Sequence, residues 1–319
     1  MFNRSSTLFS ILIPTRNRHD DLCDCLRSIA AQTIAPAEVV IVDSSPVVIE
    51  AAPKYYQTMI GAVPLRYVPA AAPGSARQRN EGLQLIRQDS VYLFLLDDDV
   101  VLEPDYCAAL VFALKQRPDV VGAVGTITNW QGYPTHWLVQ AVFRLFLMQG
   151  TPGTVLLSGQ IGHLEEDLKG PPFAIQWLYG GNTIVRRAAL ADLRFDPTFE
   201  RFGGYAFNED LDFSYALGMR GRLLCVPAAR MVHKGSPAGR PTQDYRFGIS
   251  QVANRALFVR KHLPGPIHFA CYLWSMVGQM LLNTLMIARG RSYTRLLGNV
   301  IGMALVLSGQ IRPVEREDT

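Results

Sequence analysis

Blocks of apolar and polar positions alternate through the first hundred residues, and their period changes from block to block. Phe9-Ser10-Ile11-Leu12-Ile13 reads as a short strand stopped by Pro14. Asp20 to Gln32 places Leu22, Leu26 and Ile29 on one face at helical spacing. Val39-Val40-Ile41-Val42 is a second strand ending at Asp43, and Leu65-Arg66-Tyr67-Val68 is a weaker third. Ser75 to Arg87 is helical with Ser75 as N-cap, and Val91-Tyr92-Leu93-Phe94-Leu95-Leu96 is a buried strand. Strands alternating with helices predict right-handed βαβ crossovers and a mainly parallel α/β sheet flanked by helices. The stretch from Trp130 to Gln176 is less regular. Its apolar, helix-prone piece, Trp137 to Met148, and its Gly/Pro-rich loop are expected to cover a site. A more polar α/β-like stretch runs from Trp177 to Lys234.

The buried strand ends in Asp97-Asp98-Asp99. Three adjacent carboxylates repel one another when ionised and cannot all be buried. Hard oxygen donors collected in this way suit Mg²⁺ or Mn²⁺. In an open α/β sheet the carboxyl ends of the strands are also where ligands bind. A solvated acidic turn is the plain alternative for the triplet alone.

Composition narrows the classes. The 319 residues suffice for one large domain or two smaller ones, with 49% apolar and 18% charged residues and a positive mean hydropathy. A net charge of +4 without a dense Lys/Arg run argues against nucleic acid as a partner. The cysteines Cys23, Cys25, Cys107, Cys225 and Cys271 lack zinc spacing and fit reduced thiols in the cytosol. Met1 to Ser10 shows no apolar core of the signal-peptide kind, so the cytoplasmic side is expected.

Several motifs fall in a telling order. They are Ile13-Pro14-Thr15-Arg16-Asn17-Arg18, Val42-Asp43, Ala76-Arg77-Gln78-Arg79-Asn80-Glu81-Gly82, and the aspartate triplet. Gly180-Gly181-Asn182, Glu209-Asp210-Leu211-Asp212 and Val232-His233 follow. As an ordered set over residues 8 to 262 this resembles the family 2 glycosyltransferases, which have the GT-A (Rossmann-like) fold and use nucleotide-sugar donors. The residues carry arguments of their own. Asp43, at a strand terminus, can accept a hydrogen bond from a nucleobase or ribose, although a turn aspartate before Ser44-Ser45-Pro46 fits equally. Pro14 and Thr15 can edge the base with backbone groups. Arg77 and Arg79, near a helix start, suit a diphosphate, and one of the two is expected to be merely solvated. Arg18 and Asn80 belong to the same motifs and are taken as donor contacts with them.

The resemblance implies more. It gives Asp97 to the ribose side and Asp99 to the metal, with Asp98 acting through the metal's water shell. His233 becomes a metal or phosphate ligand, with a structural histidine as the alternative. Gly180, Gly181, Asn182 and Glu209 are placed near the donor sugar and acceptor. Asp210 is the chosen general base for an inverting transfer, with Glu209 and Asp212 as alternates; the same residues would also cap and charge a helix N-terminus. The metal would neutralise the departing nucleotide diphosphate. A Gln-x-x-Arg-Trp signature of processive members is missed at Gln251 to Arg255, where Ala256 follows. Single-sugar transfer is therefore expected, from a UDP-, dTDP- or GDP-linked donor.

The end of the chain changes character. Ile267 to Ala288 contains no Asp, Glu, Lys or Arg, yet His268, Tyr272, Ser275, Gln279 and Asn283 recur every three or four residues as a polar stripe. Leu296 to Ile311 is a second apolar piece, with Gly298 and Gly302 positioned for close helix packing. Arg289, Arg291 and Arg295 between the two would lie outside in a spanning hairpin, against the positive-inside bias. The expected layout is a GT-A domain over 1–262 (nucleotide half 1–129, acceptor half 130–262) and an apolar tail over 263–319. The tail would lie in the plane of the cytoplasmic membrane surface rather than span it. Related enzymes with such tails commonly act on lipid-linked glycans. Two rival functions stand: glycosylation of a polyprenyl phosphate, whose anionic oxygen needs no base, and an inactive sugar-nucleotide-binding scaffold.

Overall fold

The computed structural model describes residues 8–47, 51–129, 136–165, 167–202, 207–235, 244–290 and 292–311. The elements in chain order are β1 (Phe9–Thr15), α1 (His19–Ala30), β2 (Glu38–Asp43), α2 (Ala52–Ile60), β3 (Leu65–Pro69), α3 (Ser75–Leu85), β4 (Tyr92–Leu96) and β5 (Val100–Leu102). Next come α4 (Tyr106–Lys115), β6 (Val120–Ile127), α5 (Trp137–Leu145), β7 (Phe173–Ile175), β8 (Asn182–Arg186) and α6 (Arg187–Leu190). The chain continues with α7 (Glu209–Gly218), β9 (Arg222–His233), α8 (Asp244–His262), α9 (Pro266–Ala288) and α10 (Thr294–Leu307).

Two compact units interleave along the sequence. The first comprises residues 1–131, 165–195 and 213–239, and the second 132–164, 196–212 and 240–319.

The first unit holds the nine-stranded sheet, ordered β3-β2-β1-β4-β8-β6-β9-β5, with β7 beside β9. β3, β2, β1 and β4 run parallel, as the alternating pattern predicts. β8 then inserts antiparallel between β4 and β6, and the sheet continues as a mixed one. Val39, Ile41, Phe94 and Leu96 belong to a core that α1 and α4 cover with Leu22, Leu26, Leu110 and Leu114. Proline does not stop β1: the strand runs to Thr15, with Pro14 beside Val42. Its pairing with β4 reaches only Leu12, so the missing N–H of Pro14 interrupts no rung on that side. Gly180 and Gly181 precede β8 rather than follow a strand.

The second unit is helical. α5 forms where the apolar piece was expected, and none of its side chains is buried. α9 turns its polar stripe inward, with Tyr272, Ser275 and Asn283 buried, and leaves Trp274, Val277, Leu281 and Leu285 exposed. By length and composition α9 alone among the described helices could cross a membrane. Tyr272 Oη donates to the Val252 carbonyl of α8, and Asn283 donates to Asn299, which in turn donates to the Gly248 carbonyl. A Cβ at Gly298 would lie 2.1 Å from the Tyr245 carbonyl oxygen, so α10 needs glycine there to seat against α8.

Candidate active site

Strand register assembles the donor half of the predicted set inside the first unit. Thr15, Asp43 and Pro69 stand level at the carboxyl ends of β1, β2 and β3. The β1–β4 register, Leu12 against Leu95, carries Asp98 to the level of Thr15, and Thr15 Oγ1 donates to Asp98 Oδ2 at 2.6 Å. The β5–β9 register sets His233 opposite Val100, so His233 Nε2 lies 3.1 Å from Asp99 Oδ1. The β4–β8 register, Leu96 against Asn182, brings Gly181 onto Asp97.

The three aspartates take different roles. Asp99 is 2% exposed and lies 3.3 Å from Arg18 Nη1. Asp98 is also buried and accepts from both Thr15 and Arg18, the latter at 2.9 Å. Burial pushes its carboxyl up to about 6, while the Thr15 hydrogen bond and the Arg18 charge pull the other way. Asp97 is tied to Arg79 Nη2 at 2.8 Å. Asp97, Asp99 and His233 offer ligand atoms within 4.8 Å of one another, which suits a divalent ion. Asp98 faces the β1 loop and stands outside that group.

The other donor-side residues divide between the surface and the interior. Arg77 is exposed, as a ligand-facing or solvated arginine should be. Arg79 is buried against the Phe195 ring, its guanidinium carbon 5.3 Å from the centroid, and holds Asp97 from behind. Asn80 clamps the backbone of Phe195 by two bonds, donating to its carbonyl at 2.8 Å and accepting from its N–H at 2.9 Å. Asp43 accepts from Ser45 N and Oγ on one oxygen and from Tyr67 Oη on the other. Burial and that bond raise the Tyr67 phenol well above its usual range, so it stays the donor. Asn182 is 1% exposed, and its amide is engaged by Tyr106 Oη and by both the N–H and the carbonyl of Gly125. That amide secures β8 to β6.

Two contributors escape the sequence patterns. Gln78 donates to the carbonyls of Thr15 (2.9 Å) and Val42 (2.7 Å), pinning α3 across the ends of β1 and β2. Tyr67 orients Asp43 at 2.5 Å. Each acts through a partner distant in sequence. A buried glutamine in an otherwise polar helix and an aromatic in a weak strand were the available signals.

The second unit carries Glu209, Asp210 and Asp212 at the first turn of α7, entered through Asn208 at φ 70°. Glu209 is buried and Asp210 half-buried. Asp212 is buried, and its carboxylate accepts from Lys261 Nζ at 2.9 Å and lies 2.7 Å from His262 Nε2. Lys261 also reaches Asp196 at 3.0 Å. Asp212 thus ties α7 to α8. All five cysteines are free, and burial raises the thiols of Cys25, Cys107 and Cys225.

A parallel half-sheet continued by antiparallel strands, with an acidic cluster at the end of β4, defines the GT-A class. The chain belongs to glycosyl transferase family 2, whose sequence profile matches residues 10–194. An uncharacterized glycosyltransferase of Haemophilus influenzae is 29% identical over 116 residues, 35% of this chain and 36% of that protein, so the match spans about a third of the relative's length. Among solved structures, residues 1–349 of S. aureus TarS superpose with a TM-score of 0.52 at 14% identity, covering 95% of this chain and 92% of that one. GalNAc-T7 with UDP, GalNAc and Mn²⁺ gives 0.56 at 17% identity, covering 86% and 56%. The mannosyltransferase PcManGT of Pyrobaculum calidifontis, in complex with GDP-Man and Mn²⁺, gives 0.51 at 17% identity, covering 95% and 79%.

Proposed function

We propose that this protein transfers a single sugar, with inversion, from a nucleotide-diphosphate sugar to a lipid-linked glycan at the cytoplasmic membrane surface. The observation that carries the donor reading is the convergence of Thr15, Asp43, Asp97, Asp99 and His233 at the carboxyl ends of β1, β2, β4 and β9. The nucleotide- and Mn²⁺-bound forms of GalNAc-T7 and PcManGT support a metal-assisted donor. In the proposed site Asp99, Asp97 and His233 hold Mg²⁺ or Mn²⁺, whose chemistry is to neutralise charge on the leaving diphosphate. Asp43 accepts a hydrogen bond from the nucleoside, and the exposed Arg77 meets phosphate. Asp210 takes the proton from the acceptor hydroxyl as that oxygen attacks the anomeric carbon, with Glu209 beside it.

The acceptor reading rests on the outer face of α9. Its inner stripe is hydrogen-bonded to α8 and α10, so a spanning α9–α10 hairpin would have to give up the Tyr272 and Asn299 bonds to α8. Lying in the surface plane keeps them.

Thermal stabilisation by UDP, dTDP or GDP, with Mn²⁺ and without, tests the donor site through mass action. The wild type is expected to gain metal-dependent stabilisation with one of them, and Asp99→Ala to lose it. Full metal-dependent stabilisation in Asp99→Ala refutes the metal assignment.

A further inference from the structure

Acidic residues are segregated along this chain. Positions 120–164 and 245–314 contain no aspartate or glutamate, although an even spread of the chain's 27 would place about ten there. Most of these positions fall in the second unit, and between them they supply α5, α8, α9 and α10. The same helices expose apolar side chains. Trp137 is 69% exposed and Leu145 62% on α5, Leu285 61% on α9, and Leu307 65% on α10.

α5 meets α9 on its outward face. Trp274, itself exposed, donates from Nε1 to the Leu145 carbonyl at 2.7 Å, and its ring stacks on Phe146 at 4.9 Å. A Cβ at Gly278 would lie 2.4 Å from Phe146 Cβ, so the residue that ends α5 approaches α9 closely there. α5 therefore extends the apolar face of α9 rather than capping its polar stripe. Exposed Arg144 and Arg289 accompany this surface, with no acidic group on α5, α9 or α10 to oppose them.

We infer that α5 is a third membrane-contacting helix, lying with α9 and α10 on an anionic lipid surface, with Trp137 and Leu138 entering the interface. An apolar face with arginines and no carboxylates matches acyl chains beneath anionic headgroups, which attract the cations. A second copy of the chain would bring Arg144 and Arg289 toward their own kind with no acidic partner on these helices. The inference rests on the surface-lying reading of α9 and α10, and adds to it a segment more than a hundred residues upstream.

The test uses the full chain with Cys271→Ser, since the other four cysteines are buried. An environment-sensitive fluorophore is attached at Leu138→Cys, Val142→Cys, Leu281→Cys or Phe112→Cys, the last an exposed site on α4 of the first unit. Vesicles of acyl-brominated phosphatidylcholine are used with and without phosphatidylglycerol. With the anionic lipid, probes at 138, 142 and 281 are expected to be quenched and the probe at 112 not. Leu138→Glu, at a half-exposed position, should lower vesicle partitioning about tenfold without unfolding the protein, the effect of withdrawing one leucine from the apolar phase. Quenching at 281 but not at 138 or 142 overturns the role of α5 and leaves the tail attached. No quenching at any site, with self-association of the chain, overturns both. Equal binding to vesicles lacking phosphatidylglycerol overturns the electrostatic part.

Discussion

Replacing Gly181 by alanine adds one methyl group at the point where β8 meets the acidic cluster. The backbone there is not in the left-handed region, so the substitution acts through space alone. The new Cβ would stand 2.2 Å from both Cγ and Oδ2 of Asp97, against an ordinary contact of about 3.4 Å or more. Asp97 must therefore retreat by roughly 1.2 Å, the difference between those distances. Its bond to Arg79, 2.8 Å long with the guanidinium side chain 4% exposed, does not survive such a move. Losing a charge-assisted hydrogen bond to a buried partner costs about 1.5–3 kcal/mol. The displaced carboxylate also leaves the group formed with Asp99 and His233. Gly181→Ala should lose stability of that order in chemical denaturation, and its Mn²⁺-dependent nucleotide affinity should fall at least about tenfold, as expected when one of the three proposed ligands departs. Isothermal titration measures the second quantity. Wild-type stability together with wild-type metal dependence would refute the placement of Asp97 between Arg79 and the metal.

Asp210→Asn should lower kcat by about 10²–10⁴ with donor affinity unchanged, and near-native turnover in a steady-state assay would move the proton acceptor to Glu209 or favour an acceptor that is already anionic. Asp212→Asn should destabilise the protein by about 2 kcal/mol, below the 3–5 typical of a fully buried pair because Lys261 keeps Asp196; a loss of turnover with no loss of stability would count against its tying role. His163 is half-buried near Arg255, and desolvation lowers its pKa to about 4. Between that value and the ordinary 6.5 the unfolded chain binds the extra proton, so stability contributed by neutral His163 is present above pH 6.5 and lost as pH falls through 4. That amounts to about 3 kcal/mol, and denaturation midpoints of His163→Gln should be correspondingly flatter over this range.

Much of the sheet can be read from the chain because β1, β2 and β4 are largely apolar runs closed by a polar residue. Asp43 and Asp97 mark strand ends in sequence and in space alike. β6 is harder to see, since Gly122 and Gly125 dilute its β propensity. Gly125 is needed there because the Ala229 carbonyl and the Tyr106 ring leave no room for a side chain. The chemistry of the site divides in the same way. That an acidic cluster exists follows from three adjacent aspartates, but which carboxylate faces a ligand depends on Thr15, Arg18 and Arg79, which approach from separate elements. Arg79 looks solvated in a helix as polar as Ser75–Leu85, and only Phe195, far along the chain, makes it interior. The second unit gathers three stretches separated by whole strands, an arrangement that local periodicity does not encode.

The inward polar seam of α9 bears on how this protein can be handled. In many membrane-attached assemblies lipid itself holds the helices together, and detergent loosens them. Here α8, α9 and α10 are joined by Tyr272, Asn283 and Asn299 on their buried, inward faces. On the proposed membrane-attached reading, a detergent that coats the outer face would replace lipid without competing for those bonds. Extraction should therefore leave the helical unit intact, whereas deleting α9 and α10 to gain solubility would uncover Ile249, Val252 and the rest of the buried side of α8.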